Sequence, residues 1–214
     1  MSEEDHIVYV VDDDARVCEA ICDLLAAVGI DAVSFGSLAE YSAFVRPDLP
    51  ACLILDVELP DINGLEFQRQ ASQADHPPIV FITGHGDIPT SVRAIKGGAV
   101  DFLTKPFADE TLLDAIRSAI AADRDARHAR AEVGDLRARL ATLTPREREV
   151  LPLVVSGLLN KQAAQELRIS ETTLEIHRGK IMRKMEAASL ADLVRIAAKL
   201  GIEVTHSRRT GRGE

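Results

Sequence analysis

The sequence has few of the features that mark secreted or membrane-spanning proteins. It contains three cysteines, Cys18, Cys22 and Cys52, with no Cys-x-x-Cys pair, which provides no disulfide framework and fits a reducing compartment. No apolar run approaches the roughly 18 residues needed to cross a bilayer. The opening residues 1–6 lack the positive charge of a signal peptide. These absences lead us to expect a soluble, cytoplasmic protein without a membrane partner.

The composition argues against disordered and fibrous proteins. The chain has 214 residues, of which 46% are hydrophobic, and its 13 glycines and 9 prolines are ordinary numbers. A chain of this length accommodates two small domains or one large domain.

Charge is distributed unevenly along the chain. The net charge is −9, but residues 1–143 carry 12 Lys and Arg against 25 Asp and Glu, whereas residues 144–214 carry 13 against 9. The first part therefore has a charge of −13 and the second a charge of +4. A polyanionic partner is expected to meet the C-terminal part.

Short apolar runs alternate with helical patterns over the first 120 or so residues. The runs are 7–11, 32–35, 52–56, 79–83 and 102–103, and the helical patterns that follow them extend to 28, over 38–45, over 64–74, over 89–96 and onward from 106. Unbroken apolar runs are typical of strands that are buried on both faces. The pattern predicts a doubly wound α/β fold with a five-stranded parallel sheet.

Polar side chains follow most of the predicted strands. Asp12 and Asp13 follow the first run, Asp56 ends the third, Thr83 ends the fourth and Lys105 follows the fifth. The functional crevice of such a sheet lies beyond the carboxyl ends of its strands. One such residue could simply cap a helix, but several together predict a site at this edge.

These residue types suit phosphoryl chemistry. A carboxylate can attack a phosphoryl group to form an acyl phosphate, and Asp56 is the candidate nucleophile. Because the incoming group is anionic, a Mg²⁺ ion, or Mn²⁺ in its place, is expected to join Lys105 in balancing the three carboxylates. Thr83 can donate a hydroxyl hydrogen bond to one phosphoryl oxygen, and Lys105 can place a charge near another.

The C-terminal part predicts a small all-α domain. Helical patterns cover about 146–156, 160–167, 171–185 and 189–200, and Thr144-Pro145-Arg146-Glu147 is a strong helix-start signal. Two short helices joined by a tight turn, the second of them cationic, are typical of a helix-turn-helix that enters the DNA major groove.

Residues 123–142 predict a helical linker between the two parts. Apolar residues at a spacing of three and four form a narrow seam that continues the fifth helix. A signalling helix or coiled coil and a solvated linker both remain open, because half of the seam is alanine and Gly134 interrupts it.

Four motifs in the first half resemble those of a phosphoacceptor receiver domain, and the whole chain resembles two-component response regulators of the FixJ/NarL type. The motifs lie at 11–13, 56–64, 83–87 and 98–107. The resemblance implies a flavodoxin-like receiver fold in which Asp56 takes a phosphoryl group from the phosphohistidine of a sensor kinase. It implies that Asp13, Asp56 and the backbone carbonyl of Glu58 hold Mg²⁺, with Asp12 acting largely through water. It further implies a cis peptide bond before Pro106.

The same resemblance implies a conformational switch. Thr83 and Phe102 are expected to move inward on phosphorylation, with Lys105 completing the catalytic group. The family often has a tyrosine or another aromatic residue at the position of Phe102, so the switch here keeps the aromatic ring without the tyrosine hydroxyl.

The second half resembles a LuxR-type helix-turn-helix output domain over about 141–204. From helix spacing and this resemblance, we expect DNA contacts from Lys161, Thr172, Thr173, Glu175, Ile176, Arg178, Gly179, Lys180, Arg183 and Lys184. The family often has a lysine where this chain has Glu175. That carboxylate could accept from a cytosine amino group or pair with Arg178 one turn on, and both alternatives remain open.

The expected domain plan is a receiver at 1–122, a helical linker at 123–142, a DNA-binding domain at 143–206 and a basic disordered tail at 207–214. We expect a phosphorylation-dependent transcription regulator that binds DNA half-sites as a homodimer and acts on RNA polymerase. It is expected not to be an enzyme, apart from its own phosphorylation and dephosphorylation at Asp56. A metal-dependent phosphohydrolase with a receiver-like fold and an unphosphorylated scaffold or DNA-binding protein are the alternatives.

Overall fold

The computed structural model describes residues 5–71 and 76–202. The chain divides into two compact units, Met1–His128 and Ala129–Glu214. Each unit has its own hydrophobic core. The expected basic tail at 207–214 lies outside the described residues. The helix predicted over 64–74 is shorter than expected, because it ends at Gln70 and Ala71 is extended.

The first unit contains one parallel sheet of five strands. The strands are β1 (Ile7–Val11), β2 (Asp31–Phe35), β3 (Ala51–Asp56), β4 (Ile79–Thr83) and β5 (Asp101–Thr104), and they lie in the order β2-β1-β3-β4-β5. The predicted five-stranded parallel sheet is therefore confirmed. The order changes direction at β1 and β3, which places a crevice beyond the carboxyl ends of these two central strands.

Five helices belong to this part of the chain or begin in it. They are α1 (Ala15–Ala27), α2 (Leu38–Ala43), α3 (Gly64–Gln70), α4 (Ile88–Lys96) and α5 (Asp109–Ala141). Side chains of Asp14, Ser37, Asn63 and Asp87 cap the first four by accepting hydrogen bonds from backbone N–H groups of the first turn. The short loops that carry these caps fix how each helix leaves the sheet.

Side chains of β1 show how the sheet buries both faces. Val8 and Val10 contribute to a core with α1 and α5, whereas Tyr9 and Val11 contribute to a core that includes residues of α2 and α4. This alternation follows from the two-residue period of a strand. It explains the apolar runs, because neither face of the sheet is left to solvent.

Helix α5 is continuous through the expected linker. Asp123 is 3% exposed, and its Oδ2 accepts from the backbone N–H of Ala51 at 3.0 Å and from Arg127 Nε at 2.7 Å. The apolar seam is buried toward its two ends, where Ala119 belongs to a core of the first unit and Leu143 to the core of the second, while Ala122, Ala126 and Ala129 between them are exposed. Each unit thus uses its own end of the seam as core.

The second unit is helical in its described part. It contains α6 (Pro145–Val155), α7 (Asn160–Leu167), α8 (Glu171–Lys184) and α9 (Leu190–Lys199), packed around residues such as Val150, Leu174 and Ile181. Arg168 ends α7 in the left-handed region, with φ of 54°, and Ser170 caps α8. This tight turn joins the two helices of the expected helix-turn-helix.

Among residues 5–71 and 76–202, no helix combines the length and apolar character that crossing a membrane requires.

Candidate functional site

The carboxyl edge of the sheet brings together residues from four strand ends. Lys105 Nζ donates to Asp12 Oδ2 at 2.5 Å and to Asp56 Oδ2 at 2.8 Å. Asp12 and Asp56 are buried, as is Thr83 at the end of β4. The two remaining carboxylate oxygens accept backbone N–H groups, Asp12 Oδ1 from Asp14 at 2.9 Å and Asp56 Oδ1 from Glu58 at 3.0 Å. The loops after β1 and β3 therefore hold both carboxylates in fixed orientations.

Asp13 completes an acidic cluster. One oxygen from each of Asp12, Asp13 and Asp56 lies within 4.8 Å of the others, and Asp13 is the exposed member. Burial raises the pKa of Asp12 above its ordinary value, against the opposing effect of its hydrogen bond from Lys105. Burial disfavours the charge of Lys105, but its hydrogen bonds to Asp12 and Asp56 outweigh this and raise its pKa. With one cation facing three carboxylates, the cluster has a surplus of negative charge.

This donor set fits a divalent magnesium ion. Mg²⁺ prefers oxygen ligands and is commonly held by one or two carboxylates together with water. Two positive charges would offset the surplus left by Lys105. Asp13, being exposed, is the carboxylate most accessible to an ion that arrives from solvent.

Thr83 lies at this edge, but its hydroxyl is engaged by the loop that follows β4. Its Oγ1 accepts from the backbone N–H of His85 at 3.1 Å and lies 3.3 Å from the carbonyl oxygen of that residue. Phe102 is half-buried, and its ring centroid lies 6.4 Å from that of Phe81. The two expected switch residues thus lie on adjacent strands, β4 and β5.

Two glycines set how closely the surrounding loops approach, which sequence reasoning missed. A Cβ on Gly64 would lie 2.6 Å from the carbonyl oxygen of Asp56, and a Cβ on Gly86 would lie 2.0 Å from Thr104 Cγ2. Glycine at 64 lets α3 begin directly against the end of β3, with its N–H bonded to Val57 at 3.0 Å. Glycine at 86 lets the loop after β4 rest on β5. Only the general preference for glycine at close approaches could have indicated either position.

The second unit presents a separate exposed surface on α8. Of the expected DNA contacts, Thr172, Glu175, Ile176, Gly179, Lys180 and Arg183 are exposed on α8, and Lys161 is exposed on α7. Thr173 is half-buried, and its hydroxyl lies 2.8 Å from Ser170 Oγ at the helix start. Leu174, Ile181 and Met185 face the core. This division of α8 into a core face and an exposed, largely polar face is that of a recognition helix.

Comparison with known proteins identifies a family for each of the two parts of the chain. The model of the response regulator receiver domain matches residues 8–117, and that of the luxR family of bacterial regulatory proteins matches residues 141–197. Nodulation protein W of Bradyrhizobium diazoefficiens is 49% identical over 205 residues, which cover 95% of this chain and 90% of that protein.

The chain belongs to the FixJ/NarL-type response regulators.

Solved structures support the same assignment. The response regulator StyR is 43% identical, with a TM-score of 0.76 over 91% of this chain and 99% of that chain. Full-length FixJ from B. japonicum is 38% identical, with a TM-score of 0.52 over 95% of this chain and 100% of that chain. The protein described by the present sequence is thus a phosphorylation-dependent transcription regulator with a receiver and a LuxR-type DNA-binding domain, and not a typical enzyme. Receiver domains generally bind Mg²⁺, and this receiver has the acidic cluster for it.

The peptide bond between Lys105 and Pro106 is cis, as the resemblance implied.

One expected DNA contact of the response regulator is engaged inside the protein. Lys184 Nζ donates to Glu147 Oε2 at 2.7 Å and to the carbonyl oxygen of Thr142 at 2.9 Å. Glu147 is 2% exposed and also belongs to the capping box that starts α6. In the structure the charge of Lys184 neutralises this buried carboxylate and holds α8 to α6. Its expected phosphate contact stays a prediction.

Within the protein, Glu175 bonds Asn160 rather than Arg178. Asn160 Nδ2 donates to Glu175 Oε1 at 3.3 Å, and Arg178 NH1 donates to Asn160 Oδ1 at 3.0 Å. Among the described residues, no ion pair joins Glu175 directly to Arg178. Asn160 stands between the two charges and links the two helices of the helix-turn-helix.

Proposed function

We propose that Asp56 accepts a phosphoryl group from the phosphohistidine of a sensor kinase. The observation that carries this proposal is the fixed arrangement of Asp12, Asp56 and Lys105 at the switch point of the sheet. An oxygen of Asp56 attacks phosphorus and the bond from phosphorus to the histidine nitrogen breaks. The imidazole ring, which carries a proton on its other nitrogen, takes the electron pair of that bond and leaves as neutral histidine. Lys105 is already within hydrogen-bonding distance of Asp56 and can follow the new charge on the phosphoryl oxygens.

Asp13, Asp56 and the backbone carbonyl of Glu58 would hold the metal, Mg²⁺ or Mn²⁺, with Asp12 contributing largely through water. A bound ion would neutralise charge on the transferred group. Thr83 can give its hydroxyl hydrogen bond to a phosphoryl oxygen once it leaves the backbone of His85. That exchange of hydrogen-bond partners would release the loop after β4, which rests on β5, the strand that carries Phe102. This contact supports the proposal that Thr83 and Phe102 move inward together.

The output domain is proposed to bind double-stranded DNA with α8 in the major groove. Thr172, Glu175, Ile176, Gly179 and Arg183 are the proposed base-facing positions, and Lys161, Arg178, Lys180 and Lys184 are the proposed phosphate contacts. Thr173, whose backbone N–H donates to the capping residue Ser170, is proposed to contact DNA beside them. Because it is proposed to bind DNA, the protein is also proposed to act in the bacterial cytoplasm, with RNA polymerase as its proposed downstream partner.

We further propose that phosphorylation promotes a homodimer. A domain with a charge of +4 makes few phosphate contacts, so one copy binds weakly and paired half-sites are needed. Ile88, Val92 and Ile95 form an exposed apolar stripe on α4, with exposures of 80%, 44% and 48%. This stripe supports self-pairing through α4 and β5, and α9 is the proposed contact between output domains.

Labelling tests the phosphoacceptor directly. The intact protein, treated with acetyl phosphate and Mg²⁺, is expected to gain the mass of one phosphoryl group, whereas Asp56→Asn gains none. Asp61→Asn is the matched control, because Asp61 lies in the same loop but bonds the backbone of Ala39 and Ile62. Labelling of Asp56→Asn would overturn the assignment. Rapid repeated hydrolysis of a small phosphate ester at each site would favour a phosphohydrolase instead.

A further inference from the structure

The polar bridge between α7 and α8 has a fixed direction. A guanidinium group can only donate hydrogen bonds and an ionised carboxylate can only accept them. The amide of Asn160 must therefore turn its oxygen toward Arg178 and its nitrogen toward Glu175, as the distances of 3.0 Å and 3.3 Å show. Among the common polar side chains of this size, an amide serves both neighbours at once, whereas aspartate would repel Glu175.

Without Asn160, the two charged residues would be free to pair with each other. Glu175 and Arg178 are three residues apart on α8, a spacing at which opposite charges on a helix surface attract. A direct pair would draw the carboxylate along the helix toward Arg178. The bridge instead holds Glu175 toward α7 while its second oxygen remains available on an exposed residue.

Apolar side chains adjoin this bridge on both helices. Leu159 directly precedes Asn160 and is 70% exposed, and Ile176 directly follows Glu175 and is 54% exposed. They are the large hydrophobic residues that the described part of the output domain exposes. A carboxylate acceptor beside apolar groups complements a major-groove edge that offers an amino donor beside a thymine methyl group.

We propose that Asn160 is a positioning residue for base recognition, holding the Glu175 carboxylate where it accepts from a cytosine amino group. The inference rests on the proposed DNA-binding function of α8. Holding the side chain in place lowers the entropy lost on binding. Keeping it away from Arg178 leaves that residue's other N–H groups for a phosphate. Asn160 itself need not touch a base.

The test is a binding selection on randomised half-sites with the full-length protein, phosphorylated with acetyl phosphate and Mg²⁺. Asn160→Ala and Glu175→Ala are expected to lose preference for cytosine at the same single position, each by about five- to tenfold. The double variant is expected to show no further loss, because both changes remove one interaction. A purely structural role for Asn160 would weaken all sequences alike and leave the selected motif unchanged.

Two further variants keep the result interpretable. Asn160→Asp retains the size of the side chain and its bond from Arg178, and is expected to relax the same position. Gln165→Ala, at an exposed polar site on α7, is expected to leave the motif unchanged. The inference would be overturned, while DNA binding stands, if both Asn160 variants selected an unchanged motif. It would also be overturned if Asn160→Ala reduced the cytosine preference as much in the Glu175→Ala variant as in the wild type. If phosphorylated wild-type protein selects no motif at all, the proposed DNA-binding function fails and the inference fails with it.

Discussion

At the residue scale, Lys105 governs the electrostatics of the receiver pocket. Its ammonium group binds two buried carboxylates, Asp12 and Asp56, while Asp13 stands exposed beside them. Charge-assisted hydrogen bonds of this kind are stronger than neutral ones, but one cation cannot balance three carboxylates. The pocket is therefore organised before a metal ion arrives and remains attractive to a divalent cation.

Magnesium is expected to stabilise the receiver by mass action. At a free concentration 10 to 100 times the dissociation constant, the gain is about 1–3 kcal/mol. The expected result is a higher melting temperature of the full-length protein in millimolar Mg²⁺ at low salt. Asp13→Ala should lose this gain, whereas Asp31→Asn, at the amino end of β2, should keep it. A melting temperature that does not respond to Mg²⁺ in the wild type would contradict the pocket as described.

Residues at strand ends could be predicted because their positions follow from the apolar runs. Asp56 ends a buried strand, and the carboxyl ends of parallel strands share one edge. Lys184 and Asn160 could not be placed in the same way. Lys184 looks like any cation on a recognition helix until Glu147, 37 residues away, is brought against it. In the sequence, Asn160 looks like an ordinary helix-start residue, because its contacts with Glu175 and Arg178 are made only in the folded structure.

At the element scale, α6 and α8 are held together by a buried ion pair as well as by apolar packing. Glu147 accepts from the backbone N–H of Thr144 at 2.9 Å and from Lys184 at 2.7 Å. Since the carbonyl oxygen of Thr142 also accepts from Lys184, the segment that follows α5 is attached to the recognition helix. The Glu147 carboxylate thus connects three parts of the output domain, the segment before α6, α6 itself and α8.

Glu147→Gln is expected to loosen α6 and α8 locally. The loss of a charged partner for Lys184 should lower the free energy of opening by about 1–3 kcal/mol at pH 7. Hydrogen exchange of the full-length protein should show this in α6 and α8 and leave the receiver strands unchanged. Glu149→Gln is the matched control, because Glu149 lies on the same helix in an exposed pair with Arg146. Equal exchange in the two variants would contradict the structural role.

The same pair has a defined pH dependence. The hydrogen bond from Lys184 is the main cause that lowers the pKa of Glu147 below its ordinary value of 4.5. Its contribution to stability is therefore fully present above that ordinary value and is lost as the pH falls through the lowered one. After correction for intrinsic exchange rates, the difference between wild type and Glu147→Gln should shrink in that acidic range. If the exchange difference between wild type and Glu147→Gln instead increased as the pH fell, the lowered pKa of Glu147 would be contradicted.

At the scale of the whole molecule, one helix belongs to both functional units. Helix α5 contributes Ala119 and Ile120 to the receiver core, and Leu136 is buried near its other end. The sequence predicted that this helix continues, since its apolar spacing does not stop, but the burial of Asp123 depends on the backbone of β3 and could not be read from the linker itself.

The two parts of the chain also carry net charges of opposite sign. The residues up to 143 carry −13 and the remainder carries +4, so the acidic part opposes association with DNA and the output domain contributes the attraction. Two output domains on paired half-sites supply more phosphate contacts than one. We therefore expect phosphorylation to change the affinity for DNA through its effect on homodimer formation.

DNA affinity of the full-length protein with and without acetyl phosphate and Mg²⁺, measured on the motif obtained by selection, tests this account most directly. Phosphorylation is expected to tighten binding of the wild type by about 5- to 150-fold, the range of a coupling free energy of about 1–3 kcal/mol. Asp56→Asn is expected to bind weakly under both conditions. Equal binding by wild type and Asp56→Asn, unaffected by the phosphodonor, would contradict the account.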